Sequence, residues 1–251
     1  AVIKISDVLN PHIKDTSEVF TITTLRLTSP MGGEYWQAGT NQNITWQAGP
    51  GINLVRLQYS LDNGANWTNI AEAQNITAAV DTFRWQIPIT VGTNLAKVRV
   101  LDVVDPALYS TSPDTFTIGW TRVLSPNGGN VFQSGLPIPI RWDCSSNLRK
   151  LNVEIINSNT NQVIVETEVN AALKLINLIV PANYYSDSLL VRLSEVNSNY
   201  LISDLSDNMF SSKGLELIRP SVGDNWKSGS TEIIRWEASS NNSTINIEYS
   251  S

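Results

Sequence analysis

The chain has 251 residues and a formal net charge of −6, with one cysteine and one histidine. A single cysteine excludes an internal disulfide and a cysteine zinc site, and a single histidine excludes metal sites built from several histidines. The absence of a basic stripe argues against a nucleic-acid partner, and the absence of an apolar run of 18 residues argues against a membrane span.

Residues 1–22 contain a short alternating pattern and then a second apolar segment. Apolar and polar residues alternate at Ile3–Ile5, and Phe20–Ile22 closes the segment. Such alternation predicts strands. The same order of residues returns 95 to 96 positions later, around residues 98–100 and 116–118. Residues 1–22 are therefore predicted to be the C-terminal two strands of a preceding repeat, joined by a loop.

Residues 23–119 are predicted to form one complete module. Val55 and Leu57 alternate with Arg56, which is the period-2 pattern of a half-buried strand. Asp-Asn-Gly at residues 62–64 is a strong hairpin signal. Seven strands are predicted, near residues 25–28, 42–46, 53–60, 67–71, 81–87, 95–101 and 114–118.

A motif near the start of this module occurs three times along the chain. It consists of a proline, a glycine-containing turn, an aromatic residue and a second glycine, followed by an Ile-x-Trp strand. Proline suits the end of a strand because it donates no backbone hydrogen bond, and glycine permits the positive φ of a tight turn. The copies are 96 and 94 residues apart, and such a fixed period indicates tandem repeats. The motif residues are Pro30, Trp36, Gly39 and Trp46; Pro126, Phe132, Gly135 and Trp142; and Pro220, Trp226, Gly229 and Trp236.

Residues 120–213 are predicted to be a second, diverged module, in which aliphatic residues replace aromatic ones at several inward positions. Residues 214–251 restart the pattern and are predicted to be the first three strands of a following repeat, the third at residues 245–249, where Ile245, Ile247 and Tyr249 match Val55, Leu57 and Tyr59. The joints between these segments are short, and short linkers limit bending. The predicted fold is all-β, with tandem immunoglobulin-like antiparallel sandwiches of about seven strands arranged as a rod and cut from a longer array.

The tryptophans of the Ile-x-Trp strand have two possible roles. Each lies two residues from an isoleucine and therefore shares its face of the strand, which favours the core for Trp46, Trp142 and Trp236. The alternative is an exposed aromatic platform for sugar rings. Solvent-facing aromatic residues elsewhere are the candidates for such a platform: Tyr35, Trp67 and Tyr109.

No catalytic, cofactor-binding or metal-binding residue is assigned from the sequence. His12 is predicted to lie in a solvated loop. Cys144 has alanine at the equivalent position of the other copies, so it is interpreted as a small residue in a tight place. Asp102 and Asp105 could hold Ca²⁺ together with backbone carbonyls, but capping of a turn is the preferred interpretation.

Several positions match glycan attachment motifs. The Asp-Ser-Leu tripeptide around Ser188 resembles the O-glycosylation motif of Bacteroidetes. Five Asn-x-Ser/Thr sequons also occur, although a sequence rich in asparagine produces them by chance. The sequons are at Asn43, Asn66, Asn75, Asn241 and Asn242.

The pattern Ser-Pro-x-Gly-Gly-Glu-x-Trp-x-x-Gly, Ile-Thr-Trp, Tyr-Ser-x-Asp-Asn-Gly-x-x-Trp between Ser29 and Trp67 resembles a known repeat. It is similar to the immunoglobulin-like module of the serine/threonine-rich GPI-anchored and yeast cell-wall-synthesis family, whose bacterial members occur in tandem on secreted surface proteins, often of the Bacteroidetes type. The resemblance implies a β-sandwich and an extracellular location, and it carries no catalytic residues. The second module departs from the pattern at Asn130 and Phe132.

These features predict a structural or adhesive segment of a long extracellular repeat protein, such as a filament, a stalk or a cell-surface adhesin. The expected partners are neighbouring repeats of the same protein, a second copy in head-to-tail association, or a surface polysaccharide. Two alternatives are a carbohydrate-binding module and a non-catalytic spacer of a secreted enzyme. We expect neither catalysis nor a cofactor.

Overall fold

The computed structural model describes residues 1–239 and 244–250, so the sequons at Asn241 and Asn242 lie outside the described residues. Regular structure in these ranges consists of β-strands and two single-turn 3₁₀ helices. No helix among the described residues is long and apolar enough to cross a membrane. The chain divides into two units, residues 1–118 and 119–251. The all-β fold predicted from the sequence is confirmed.

The first unit begins with a hairpin of two strands, β1 (Lys4–Ser6) and β2 (Lys14–Thr16). The first module follows. Its 3₁₀ turn covers Ala78–Val80. Its strands are β3 (Leu25–Ser29), β4 (Tyr35–Gln37), β5 (Asn41–Ala48), β6 (Leu54–Ser60), β7 (Thr68–Asn69), β8 (Ile76–Thr77), β9 (Thr82–Gln86), β10 (Thr93–Asp102), β11 (Tyr109–Thr111) and β12 (Phe116–Gly119).

The second unit contains the second module and a further strand pair. Its 3₁₀ turn covers Ala171–Leu173. Its strands are β13 (Thr121–Ser125), β14 (Val131–Gln133), β15 (Pro137–Cys144), β16 (Lys150–Asn157), β17 (Val163–Asn170), β18 (Leu175–Ile179), β19 (Ser186–Glu195), β20 (Ser203–Leu205), β21 (Phe210–Lys213), β22 (Leu215–Arg219) and β23 (Arg235–Ala238).

Each module is a sandwich of two sheets. In the first module, the small sheet has the order β3-β5-β9. The large sheet has the order β4-β12-β10-β6-β7, and in addition β11 pairs with β10 and β8 pairs with β6. In the second, the orders are β13-β15-β18 and β14-β21-β19-β16-β17, with β20 on β19. The β14–β21 pair is parallel, and the central pairs are antiparallel. This is the topology of tandem immunoglobulin-like domains.

The core of each module lies between its two sheets and is centred on the tryptophan of the Ile-x-Trp strand. Trp46 and Trp142 are each 1% exposed, so the core role expected of them is confirmed. Each indole nitrogen donates to a carbonyl of the 3₁₀ turn, Trp46 to Ala78 at 2.9 Å and Trp142 to Ala171 at 3.1 Å. A buried indole therefore keeps its hydrogen bond while its ring fills the core.

The repeated motif has the same backbone geometry in all three copies. The peptide bond before each motif proline is cis, and Gly39, Gly135 and Gly229 have φ of +82°, +81° and +81°. An L side chain rarely adopts such a φ, which explains the glycine. At Gly32 a side chain would also collide with the backbone of Asp114, because a Cβ there would lie 2.9 Å from the Asp114 Cα.

The predicted strands of the first module all have counterparts, and three short strands were not predicted: β4, β8 and β11. Two predicted strands are wrong. Phe20–Ile22 is not a strand, and the second strand of this segment is β2 instead. The equivalent β12 pairs with the early part of β10 and with β4. In residues 1–22 the first of these pairings is reduced to Phe20 and Ala1, which exchange two backbone hydrogen bonds, and β4 has no counterpart there. Residues 245–249 likewise form no strand.

Two motif tryptophans are not buried, and for Trp236 this corrects the expected core role. Trp226 is 39% exposed and Trp236 is 42% exposed. Trp236 lies on β23, which pairs with β22 alone among the described residues, and no second sheet faces this pair. Its position in the strand is that of a core residue, but within residues 1–239 and 244–250 no second sheet covers it.

The end segments have the strand register of the complete modules. Lys4 faces Thr16 across β1–β2 as Arg99 faces Thr111 across β10–β11, 95 residues later. The β22–β23 pair repeats the register of β3–β5 and β13–β15, including the irregularity after its third residue pair. The repeat therefore extends to strand pairing at both ends of the chain.

Candidate functional site

The outer face of the large sheet of the first module carries a cluster of long polar and aromatic side chains. Successive side chains of a strand point to opposite faces. Because Val55 and Leu57 of β6 are buried between the sheets, Arg56 and Gln58 point outward. The same alternation directs Arg99 of β10 outward beside Gln58, its partner in the antiparallel register.

Hydrogen bonds across three strands fix the orientation of Arg99. The amide nitrogen of Gln58 donates to Asn69 Oδ1 at 2.6 Å. The amide oxygen of Gln58 accepts from Arg99 Nε at 2.6 Å. Since Asn69 orients the amide of Gln58, Gln58 holds the guanidinium by one edge. The two Nη groups of Arg99 make no hydrogen bond to the residues that the structure describes.

Two aromatic rings flank the guanidinium. Arg99 Cζ lies 4.3 Å from the ring centroid of Trp67 and 5.7 Å from that of Tyr109, within the range of cation–π attraction. Trp67 is half-buried and Tyr109 is 53% exposed. Partial burial lowers the pKa of Arg99 and the charge of Arg56 adds to this, although Tyr109 opposes it. Arg99 still remains charged at any physiological pH, since an arginine side chain loses its proton only in strongly alkaline solution.

The second module has a different pairing at the equivalent place. Glu154 of β16 replaces Gln58, and Arg192 of β19 replaces Arg99. Glu154 accepts from Arg192 Nε at 2.7 Å and from Nη2 at 2.8 Å, and Arg192 also lies over the ring of Tyr200 at 4.7 Å. The hydrogen bond to Glu154 raises the pKa of Arg192, and burial opposes this. The guanidinium of the second module is thus neutralised internally.

Charge therefore differs between the two outer faces. In the first module Arg56 lies near Arg99. The Nε of Arg56 is buried without a hydrogen-bond partner. Neither arginine forms a salt bridge among the described residues. Two guanidinium groups without a carboxylate make a place where an anion can bind. In the second module a groove of about 510 Å³ is lined instead by Glu166, Glu168 and Glu195.

The aromatic candidates for a sugar platform are only partly brought together. Trp67 and Tyr109 flank Arg99, whereas Tyr35 is half-buried on β4. The residues that the sequence analysis missed are Arg99 and Gln58. Their outward positions can be recognised from the period-2 pattern, but their pairing depends on the register between β6 and β10.

The glycan attachment candidates differ in accessibility. Asn43 on β5 and Asn66 and Asn75 in loops are exposed. The side chain of Asn66 donates to Asp62 Oδ2 at 2.6 Å, so it helps to close the hairpin turn. Ser188 is half-buried within β19, and its Oγ accepts from Asn159 at 3.1 Å. Attachment at any of these four residues remains a prediction.

Asp62 caps the Asp-Asn-Gly hairpin of the first module. Its carboxylate accepts hydrogen bonds from the side chain of Asn66, from the backbone nitrogen of Asn66 at 2.8 Å and from the hydroxyl of Ser60 at 2.7 Å. These hydrogen bonds, led by the side chain of Asn66, lower the pKa of Asp62 to about 2. The carboxylate therefore fixes the turn next to Trp67 over the whole physiological pH range.

The preferred interpretation of the other acidic loop residues is confirmed. Asp102 accepts from the backbone of Val104 and Asp105 from that of Ala107, both at 3.1 Å, so each caps a turn. Glu195 caps the equivalent turn of the second module. Among the described residues no three His, Cys, Asp or Glu side chains converge to hold a metal ion. His12 is exposed in its loop.

Cys144 is 7% exposed at the end of β15 and forms no disulfide. Lys174 Nζ lies 3.0 Å from its sulfur and 3.0 Å from Asp143 Oδ1. Burial lowers the pKa of Lys174, but the hydrogen bonds to Cys144 and Asp143 outweigh burial and raise it. The thiol itself is buried, whereas the side chains of Lys174 and Asp143 are 41% and 54% exposed.

No protein-family model matches the chain, and no curated relative is found for it. Solved structures of similar fold include fibronectin(III)-like modules of CbhA from Clostridium thermocellum, with 14% identity, 76% of this chain and 95% of that chain covered, and a TM-score of 0.29. Tandem Ig repeats of Dlar have 12% identity, coverage of 77% and 100%, and a TM-score of 0.25. The first two Ig domains of DIP-gamma have 8% identity, coverage of 75% and 97%, and a TM-score of 0.28. The fold assignment rests on the sheets described above.

Proposed function

We propose that this chain is a structural and adhesive segment of a long extracellular repeat protein. The observation that supports this most is the recurrence of one strand register in the end segments and in both modules. Tandem sandwiches joined by short linkers suit a stalk or filament, because each module folds around its own core and the chain continues from one module to the next.

We further propose the module borders as residues 1–22, 23–119, 120–213 and 214–251. The first and last segments would belong to repeats whose remaining strands lie outside them. Their exposed apolar side chains support this, since isolated strand pairs are marginal in water and bury little apolar surface. The side chains concerned are Ile3, Ile5 and Ile13 in the first segment and Leu215, Leu217 and Trp236 in the last.

The missing strands have two possible sources. They can belong to the same longer polypeptide, which is the proposal preferred here because it needs no assembly step. Alternatively, the ends of successive copies can complete each other by strand addition and form a fibre that does not close. The motif between Ser29 and Trp67 supports descent of the repeat from the serine/threonine-rich GPI-anchored and cell-wall-synthesis family. We propose that the segment itself is not catalytic.

Two measurements on cells that produce the protein test this function. An antibody against residues 120–213 should label intact cells, and the polypeptide extracted under denaturing conditions should have a mass several times 27.7 kDa. Labelling only after lysis would overturn the extracellular location. A mass near that of the present chain would overturn the long array and leave completion between copies. A catalytic domain found in the same polypeptide would make the segment a spacer of a secreted enzyme.

A further inference from the structure

We propose that the outer face of the large sheet of the first module binds a polysaccharide that carries carboxylate groups. Arg99 would bind the carboxylate, and Tyr109 and Trp67 would provide the aromatic surface beside it. The inference names the partner of the adhesive role and rests on that proposed function.

The first argument is the geometry of Arg99. Its Nε edge is occupied by Gln58 at 2.6 Å, which leaves the Nη edge for a ligand. A guanidinium binds a carboxylate through two parallel N–H donors, so an oriented guanidinium loses little conformational entropy when it binds. Asn69 and Gln58 supply that orientation before any ligand arrives.

The second argument is the comparison with the second module. There Arg192 has an internal carboxylate, Glu154, at 2.7 Å. The first module has the neutral Gln58 at that position, and Arg56 adds a second positive charge nearby. The same fold therefore presents a neutralised arginine in one module and an available arginine in the other. Only the available arginine can take a carboxylate from outside.

The third argument concerns the class of ligand. Tyr109 is 53% exposed beside the guanidinium, and an aromatic face packs against the C–H groups of a sugar ring. Nucleic acid is less suitable, because its binding requires many phosphate contacts along a basic surface, whereas the cluster on this face contains two arginines, Arg56 and Arg99. Arg99 between two aromatic rings, with the charge of Arg56 nearby, instead suits one carboxylate on one sugar unit at a time.

The test titrates the whole chain with polygalacturonate and follows binding by calorimetry. Neutral dextran and polyglutamate serve as reference polymers, the first without carboxylates and the second without sugar. We expect binding of polygalacturonate that weakens as salt is added, and weaker or no binding of the other two. Binding of dextran alone, or equal binding of polyglutamate and polygalacturonate, would overturn the assignment of a carboxylate-bearing polysaccharide.

The decisive variant is Gln58→Glu, which gives Arg99 the internal carboxylate that Arg192 already has. It should reduce affinity at least tenfold without loss of fold, because the second module is stable with the same pair. Gln86→Glu on β9 is the matched control, since it makes the same charge change on an exposed position of the other sheet. Equal affinity of the two variants would overturn the role of Arg99.

A second pair of variants tests the aromatic contribution. Tyr109→Ala should weaken binding several-fold, whereas Tyr185→Ala, which removes an exposed tyrosine of the second module, should not. An unchanged affinity of the Tyr109 variant would overturn the sugar-stacking part of the proposal. Surface labelling and polypeptide mass are measured on the unaltered protein, so failure of this site is distinguishable from failure of the proposed function.

Discussion

Replacement of Trp46 by alanine should lower the free energy of unfolding of the first module by about 3–5 kcal/mol, the usual cost of removing a large buried aromatic side chain. The ring is 1% exposed between the two sheets, and its indole nitrogen donates to Ala78 at 2.9 Å. The variant therefore leaves a cavity, and the Ala78 carbonyl loses one of its two donors and keeps the backbone nitrogen of Asp81 at 3.3 Å. Trp142→Ala should act in the same way on the second module.

Hydrogen exchange resolved by mass spectrometry measures this effect, because it reports the stability of each unit separately. Trp236→Ala is the matched control, since it removes the same side chain from the same motif position where the residue is 42% exposed. The control should change stability by less than about 1 kcal/mol, as surface substitutions generally do. Unchanged exchange in Trp46→Ala would exclude this residue from the core.

Replacement of Glu154 by alanine should destabilise the second module by about 3 kcal/mol, at the low end of the range for removing one partner of a buried ion pair. The Glu154 side chain is 1% exposed, while that of Arg192 is 22% exposed and can recover some hydration. The loss arises chiefly from the guanidinium, which keeps its charge and loses both of its acceptors.

Glu154→Gln is the control, because Gln58 accepts from Arg99 Nε in the first module and shows that an amide is tolerated there. Its cost should be clearly smaller than that of the alanine variant. Urea melts of the two variants measure the difference. Equal stability of Glu154→Ala and the parent chain would show that the pair contributes nothing to the second module.

Local sequence patterns were sufficient to predict most of the fold. Alternation along β6 and the turn signal after it depend on residues close together in the chain, as does the proline and glycine motif. Phe20–Ile22 and residues 245–249 were predicted as strands from similar patterns and are not strands. Their patterns are correct for a complete repeat, but a strand also needs a partner over several residues. Phe20 exchanges backbone hydrogen bonds with Ala1, which is one residue pair, and residues 245–249 belong to none of the sheets.

The candidate site could be predicted only in part, for the same reason. Trp67 and Tyr109 were recognised as possible surface aromatics from their residue types alone. The link between them is Arg99, which pairs with Gln58 across 41 positions of the sequence. Alternation within each strand places both side chains on the outer face, but the register that brings them opposite each other cannot be deduced from either strand alone. The difference between Gln58 and Glu154 can be interpreted only once the arginine that each one contacts, Arg99 or Arg192, is known.

The most direct test of tandem, independently folded modules in the proposed structural segment is to stretch single molecules held at their two ends. Two separate unfolding steps should appear, and each should lengthen the molecule by roughly 30 nm. This is the length of about 95 residues extended to about 3.3–3.6 Å each, less the few nanometres that the folded module already spans. Trp46→Ala should lower the force of one step and leave the other unchanged. A single step that releases both modules together, or extension without any force peak, would contradict the account.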